Sequence, residues 1–159
     1  MGFQIQALNQ DQFSHLFTMT DIELRKHRAR RITADSKPGY PCRISLMDAD
    51  IGDTVILVHY QHLDIDSPYA ASHAIYGRES AKQAHLAQGE IPDALSSRHL
   101  SIRAFDANGL MQIADLVDGA GLATQLETML ADPAIIFVYI HHARQGCFAA
   151  RAYQAETSG

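Results

Sequence analysis

The stretch Ala134-Ile-Ile-Phe-Val-Tyr-Ile-His-His-Ala-Arg-Gln-Gly-Cys-Phe-Ala-Ala-Arg-Ala-Tyr153 decides the fold. Its first seven residues are apolar, β-branched or aromatic, the pattern of a strand buried on both faces. After the break at Ala143-Arg144-Gln145, Gly146–Tyr153 is apolar again, so the whole reads as an antiparallel hairpin. With a three-residue loop at 143–145, His142 opposes Gly146 and His141 opposes Cys147. Gly146 suits the positive φ such loops require. Opposed residues share a face with Cβ atoms ~5 Å apart, so the thiol of Cys147 meets the imidazole of His141. That pairing can yield a thiolate nucleophile with its base. A slip of one residue separates them. The alternative is structural: a small buried hydrophobe at 147 and a histidine that caps a carbonyl.

Working outward, Leu122, Leu126, Met129 and Leu130 form one helical stripe, halted by Asp132-Pro133. Arg98–Phe105 alternates as a strand with Leu100, Ile102 and Ala104 on one face. Asp106-Ala-Asn-Gly109 turns it into a return strand at Leu110–Val117. Thr54–Tyr60 is a covered strand. Shorter strands are expected at Gly2–Leu8, Arg43–Leu46 and Ala74–Gly77, and an exposed helix at Glu79–Gln88. Asn9 caps a first short helix carrying Phe13, Leu16 and Phe17. The capping-box spacing Thr20-Asp-Ile-Glu23 opens a second. Arg25–Pro41 reads as an irregular loop, stiffened by Pro38 and Pro41 around Gly39. The order β-α-α-β-β-β-α-β-β-α-β-β predicts an α+β fold in a single domain, 1–159, with an antiparallel or mixed sheet. Two short helices lie near the N-terminus and one longer helix precedes the C-terminal hairpin; the last few residues are expected to be disordered.

The chain has 159 residues, is 47% hydrophobic and 19% charged, and carries a formal charge of −5, which excludes wholesale disorder and a uniformly basic nucleic-acid binder. It contains no apolar run of ~18 residues and no leader pattern at Met1–Gln10, so a soluble cytoplasmic protein without membrane contact is expected. Cys42 and Cys147, far apart in sequence, are then expected as free thiols. Nine histidines invite a metal reading. However, His59-x-x-His62 puts its two rings on opposite strand faces, and no H-E-x-x-H pattern exists, so neither metal nor other cofactor is expected.

Arg43, Arg103, Arg144 and Arg151 all fall in or beside expected strands. Each must reach water, a carboxylate such as Asp48, Asp106 or Asp115, or an anionic ligand. A separate basic segment, Arg25–Arg31, could dock an acidic partner or phosphates. Without interleaved aromatics it reads first as a solvated helix end, the usual meaning of such a run, and nucleic acid is not the expected partner.

These residues carry a family resemblance. Pro38-Gly-Tyr-Pro-Cys-Arg-Ile-Ser-Leu46 with Asp48-Ala49, Ser67-Pro-Tyr69, Leu100-Ser-Ile-Arg-Ala-Phe-Asp106 and His141-x-Ala-Arg144-x-Gly-Cys-Phe148 resemble a family of small bacterial proteins. It is the domain of unknown function numbered twelve-hundred-and-three. The chain departs from it at His142, where relatives carry asparagine, and around Ala70–Ala74. The resemblance implies no activity, but its motifs coincide with Cys42, Arg43, Arg103, His141, Arg144 and Cys147. The expected site is therefore a pocket between the Tyr40–Arg43 loop and the His141–Cys147 hairpin. There Cys147 is nucleophile or redox thiol, His141 its base, and Cys42, Arg43, Arg103 and Arg144 hold a small anionic molecule. A non-catalytic module docking through Arg25–Arg31 is the competing class, and self-association is compatible with either.

Overall fold

Five strands cover most of the hydrophobic stretches. In a computed structural model describing residues 2–156, they form an antiparallel sheet in the order β1-β8-β7-β5-β6. These are β1 (Phe3–Gln6), β5 (His99–Phe105), β6 (Met111–Asp118), β7 (Phe137–His142) and β8 (Phe148–Gln154). A second antiparallel sheet, β2-β3-β4, is built from Ala29–Thr33, Thr54–Leu63 and Ala71–Arg78. The helices are α1 (Asp21–Lys26), α2 (Asp93–Ser96) and α3 (Leu122–Leu130). The fold is α+β, and the expectation for the final few residues lies outside the described residues at 157–159.

The stripe read in the sequence is the one α3 buries: Leu122, Leu126, Met129 and Leu130 pack on Leu100, Ile102, Val138 and Ile140 of the large sheet. Alternation along β5 and β7 sends Phe105 and Tyr139 to the opposite face. There they meet Phe148 and the far end of β3 at Leu63. His62 of β3 lies flat against Phe148, ring centroids 5.3 Å apart. The small sheet thus reaches across the large one, and the segment joining β2 to β3 is trapped between them.

Local chemistry explains several departures from expectation. The capping box at Thr20 forms as expected, with Glu23 N–H on Thr20 Oγ1 and Thr20 N–H on Glu23. The helix after Asn9 is instead two short 3-10 turns, Gln10–Gln12 and Ser14–Thr18. Part of the supposed loop after Arg25 is β2, because Ala29 and Ile32 find partners in Val58 and Val55 of β3. Glu79–Gln88 is no helix: it has no apolar stripe. Long-range bonds pin it extended, from Ala84 N–H to Ile44 O and from Gln83 Nε2 to Ala7 O. Nor is Arg43–Leu46 a strand. It is a tight clip, closed by Leu46 N–H on Cys42 O and Cys42 N–H on Met47 O.

Candidate functional site

The hairpin register differs by one residue from the expected one. His141 faces Phe148, and His142 N–H donates to Cys147 O at 2.9 Å. The loop is four residues long: Gly146, at φ +79, donates its N–H to His142 O at 2.7 Å. An irregularity between Ile140 and His141 then shifts the ladder by one more residue, so that Ile140 pairs with Ala150. Neighbouring strand residues point to opposite faces, so the slip exchanges the two imidazoles. His142, not His141, stands beside Cys147. The expected His141–Cys147 pair does not form.

The clip at 42–48 supplies the third member. Arg43 is only 1% exposed, yet no carboxylate among the described residues meets it. Its Nε donates to Phe148 O at 2.8 Å, Nη1 to Pro41 O at 2.5 Å, and Nη2 to Cys147 Sγ at 2.9 Å. One guanidinium therefore ties the clip to the start of β8. The clip is strained to achieve this. Leu46 sits buried in the left-handed region at φ +56, a conformation that costs a branched residue about 1–2 kcal/mol. Burial pulls the Arg43 guanidinium below its ordinary value, and the neighbouring sulfurs of Cys147 and Cys42 oppose that pull. The group keeps its charge at neutral pH.

These side chains line a cleft of about 310 Å³, walled by Pro41, Leu57, Ala74 and Tyr76, with Arg43, His142 and Cys147 at its base. Arg98 and Gln145 also border it, and together with His142 they border a second, outer cleft of about 360 Å³ that carries Arg144 and His99. Arg98 is held by a two-pronged pair with Asp48, Nη2 to Oδ1 at 2.6 Å and Nη1 to Oδ2 at 2.9 Å. Burial, reinforced by the Arg43 and Arg98 cations, pushes the His142 imidazole down to about 3, so its ring is neutral at pH 7. Its Nδ1 finds no hydrogen-bond partner among the described residues. A larger cleft of about 570 Å³ beside β1 is lined by Gln4, Gln6, Gln83 and Gln88, with neither thiol nor arginine.

The remaining expected site residues lie elsewhere. His141 belongs to the opposite face of the sheet, where it packs edge-on to His62 at 5.0 Å and its Nδ1 donates to Gly146 O. Burial takes His141 down to about 3 and His62 to about 4. Arg103 joins that second cluster and bonds Ser101 Oγ at 3.3 Å. Cys42 is a buried hydrophobe whose sulfur accepts N–H groups of Ser45 and Arg78. Arg151 lies over the ring of Phe137. Asp106 is occupied by Asn108, Leu110 and Gln112. Arg98 was the member that sequence reasoning missed, while Asp48 and His142 were noted there without being assigned to the cleft. The one signal for Arg98 was a charge at the mouth of a core strand.

Arg43 and the hairpin both fall inside the span that a family model matches. The model of the protein family of unknown function DUF1203 matches residues 39–153. The chain belongs to DUF1203. No curated protein and no solved structure matches it. The matched span takes in both walls of the Arg43–Cys147 cleft and the whole of β3 through β7, while β1, α1 and the basic segment precede it. Among the described residues no helix is long and apolar enough to cross a membrane. Both thiols are free, and no cluster of histidine, cysteine and carboxylate residues suited to a metal occurs among the described residues.

Proposed function

We propose that this DUF1203 protein, in the cytoplasm, binds a small anionic molecule in the Arg43–Cys147 cleft and that Cys147 is the reacting atom. The observation that carries the reading is the buried Arg43, whose one ionisable hydrogen-bond partner among the described residues is the Cys147 sulfur. A buried cation without a carboxylate is expensive unless an anion completes it. A thiolate does so, and so does the negative group of a ligand. A guanidinium in contact with sulfur is also the environment in which cysteine attacks as thiolate. His142 borders the same cleft as a neutral imidazole, its pKa held at about 3 by burial and the two guanidinium groups, so it serves a ligand as a hydrogen-bonding group and not as a base. Arg144, exposed on the outer cleft, supplies an entering anion with attraction.

Two alkylating probes of nearly equal size test this. Iodoacetate is anionic and iodoacetamide neutral, so the ratio of their rates at Cys147 reads the charge of the cleft. In the native protein the ratio is expected to exceed that of the urea-unfolded chain by about tenfold, to fall with added salt, and to drop in Arg144→Ala. A native ratio equal to the unfolded one overturns the reading.

The competing docking module has weaker support. Arg31 is already committed to Asp21 Oδ1 and to the carbonyls of Phe17 and Met19, and Arg30 folds back on Ala29 O. Fluorescence anisotropy with labelled single- and double-stranded oligonucleotides is expected to show no complex tighter than about micromolar at physiological salt. Tight binding that is lost in Arg28→Ala but kept in Cys147→Ser would replace the pocket reading.

A further inference from the structure

We infer that Cys147 is a site of oxidation by small hydroperoxides, with the sulfenate that forms held by Arg43 and left without a resolving thiol in this chain. The inference rests on the reading of Cys147 as the reacting atom and names the chemistry of a co-reactant for it.

Three observations converge. Cys147 borders the cleft and keeps 7% exposure against 1% for Cys42, so a molecule the size of hydrogen peroxide held in the cleft lies against this residue and not against Cys42. Arg43, bonded to that sulfur, has three of its donor nitrogens engaged once each, which leaves one N–H on each Nη without an acceptor among the described residues. The spare N–H on Nη2 belongs to the nitrogen that contacts Cys147 Sγ at 2.9 Å, so it is the donor nearest to an oxygen added to that sulfur. His142, 3% exposed with its Nδ1 unpartnered among the described residues, borders the same space.

The step balances. The Cys147 thiolate attacks one oxygen of the hydroperoxide, an S–O bond forms as the O–O bond breaks, and the second oxygen leaves as hydroxide. Taken from the thiol, the sum is Cys147–SH plus H₂O₂ giving Cys147–SOH plus water, the sulfur being oxidised by two electrons and the peroxide reduced. The sulfenic acid, as its anion, keeps the negative partner that Arg43 requires.

Cys42 supplies the contrast inside the same molecule. It is 1% exposed, it does not line the cleft, and its sulfur already accepts the N–H groups of Ser45 and Arg78. It is a thiol that peroxide does not reach in the folded state, and it does not resolve the sulfenate into a disulfide. Release therefore needs an external low-molecular-weight thiol.

The test treats the reduced full chain with hydrogen peroxide at pH 7, traps sulfenic acid with dimedone, and maps the adduct by mass spectrometry. The same reaction is run in urea. Native Cys147 is expected to label about tenfold faster than unfolded Cys147, while Cys42 labels only after unfolding. Cys147→Ser abolishes the native adduct and Cys42→Ser retains it, both checked for cooperative unfolding. The inference is overturned if native Cys147 labels no faster than the unfolded chain, if Cys42 carries the adduct, or if a Cys42–Cys147 disulfide forms. Absent peroxide labelling with a retained iodoacetate preference removes this inference and leaves the anion pocket standing. Loss of both removes both.

Discussion

Replacing Arg43 by alanine is expected to destabilise the fold by about 3–5 kcal/mol, from buried acceptors orphaned at about 1–3 kcal/mol each together with the cavity left behind. The guanidinium is the link through which the 42–48 clip reaches Phe148 O and Cys147 Sγ, and its loss removes the donor that both now use. It also empties a volume that the clip cannot refill, since Leu46 is already held at φ +56. Arg43→Met separates the two contributions. It restores most of the volume and none of the bonds, so it should recover only part of the loss, each orphaned polar group costing about 1–3 kcal/mol. Arg43→Lys keeps the charge but replaces a planar fork with one ammonium, and should also fall well short of the natural chain. Urea unfolding at pH 7.5 measures all three. Full stability in Arg43→Met would mean that the tether contributes packing alone.

Acid should unfold the protein earlier than its carboxylates predict. Burial depresses His141 and His142 to about 3, whereas in the unfolded chain each returns to about 6.5. Folded-state values below unfolded ones mean that the unfolded chain takes up protons first as pH falls. Stability is therefore intact above about pH 6.5 and is lost progressively down to about pH 3. At about 1.4 kcal/mol per pH unit per ring, the two together cost roughly 5 kcal/mol between pH 6.5 and 4.5. That approaches the whole stability of an ordinary domain. His62, half-buried and pushed to about 4, acts in the same direction. The measurement is the urea midpoint from pH 8 to 4, in the natural chain and in His142→Gln. The variant should show a shallower fall, because one proton has been removed from the difference between states. A flat profile from pH 7 to 5 would contradict the neutral buried imidazoles.

The cluster around His141 that makes the fold acid-sensitive is also the reason the site was only half legible in the sequence. Alternation along Val138–Ile140 and Leu100–Ala104, the stripe of α3, the turn at Gly109 and the positive φ of Gly146 are each local and periodic, and the chain alone determined them. Arg43 and Cys147 are grouped through the family resemblance, whose motifs coincide with the Tyr40–Arg43 loop and the hairpin, and not through any local pattern of their own. Which histidine joins them depends on a single residue of register. That register was decided by the four-residue loop and by the irregularity between Ile140 and His141, where the β7–β8 ladder meets the fit of Phe148 against His62 and Tyr139. The clip at 42–48 reads as a strand by composition but turns back on itself, because the tertiary bonds of Arg43 outweigh the local preference of Leu46. The Arg98–Asp48 pair spans fifty positions, and no periodicity reports it. Short-range pattern selects elements and faces. Pairings that lie far apart in sequence and rest on a few hydrogen bonds emerge only when the sheets are packed, since their free energy depends on burial that no single segment possesses.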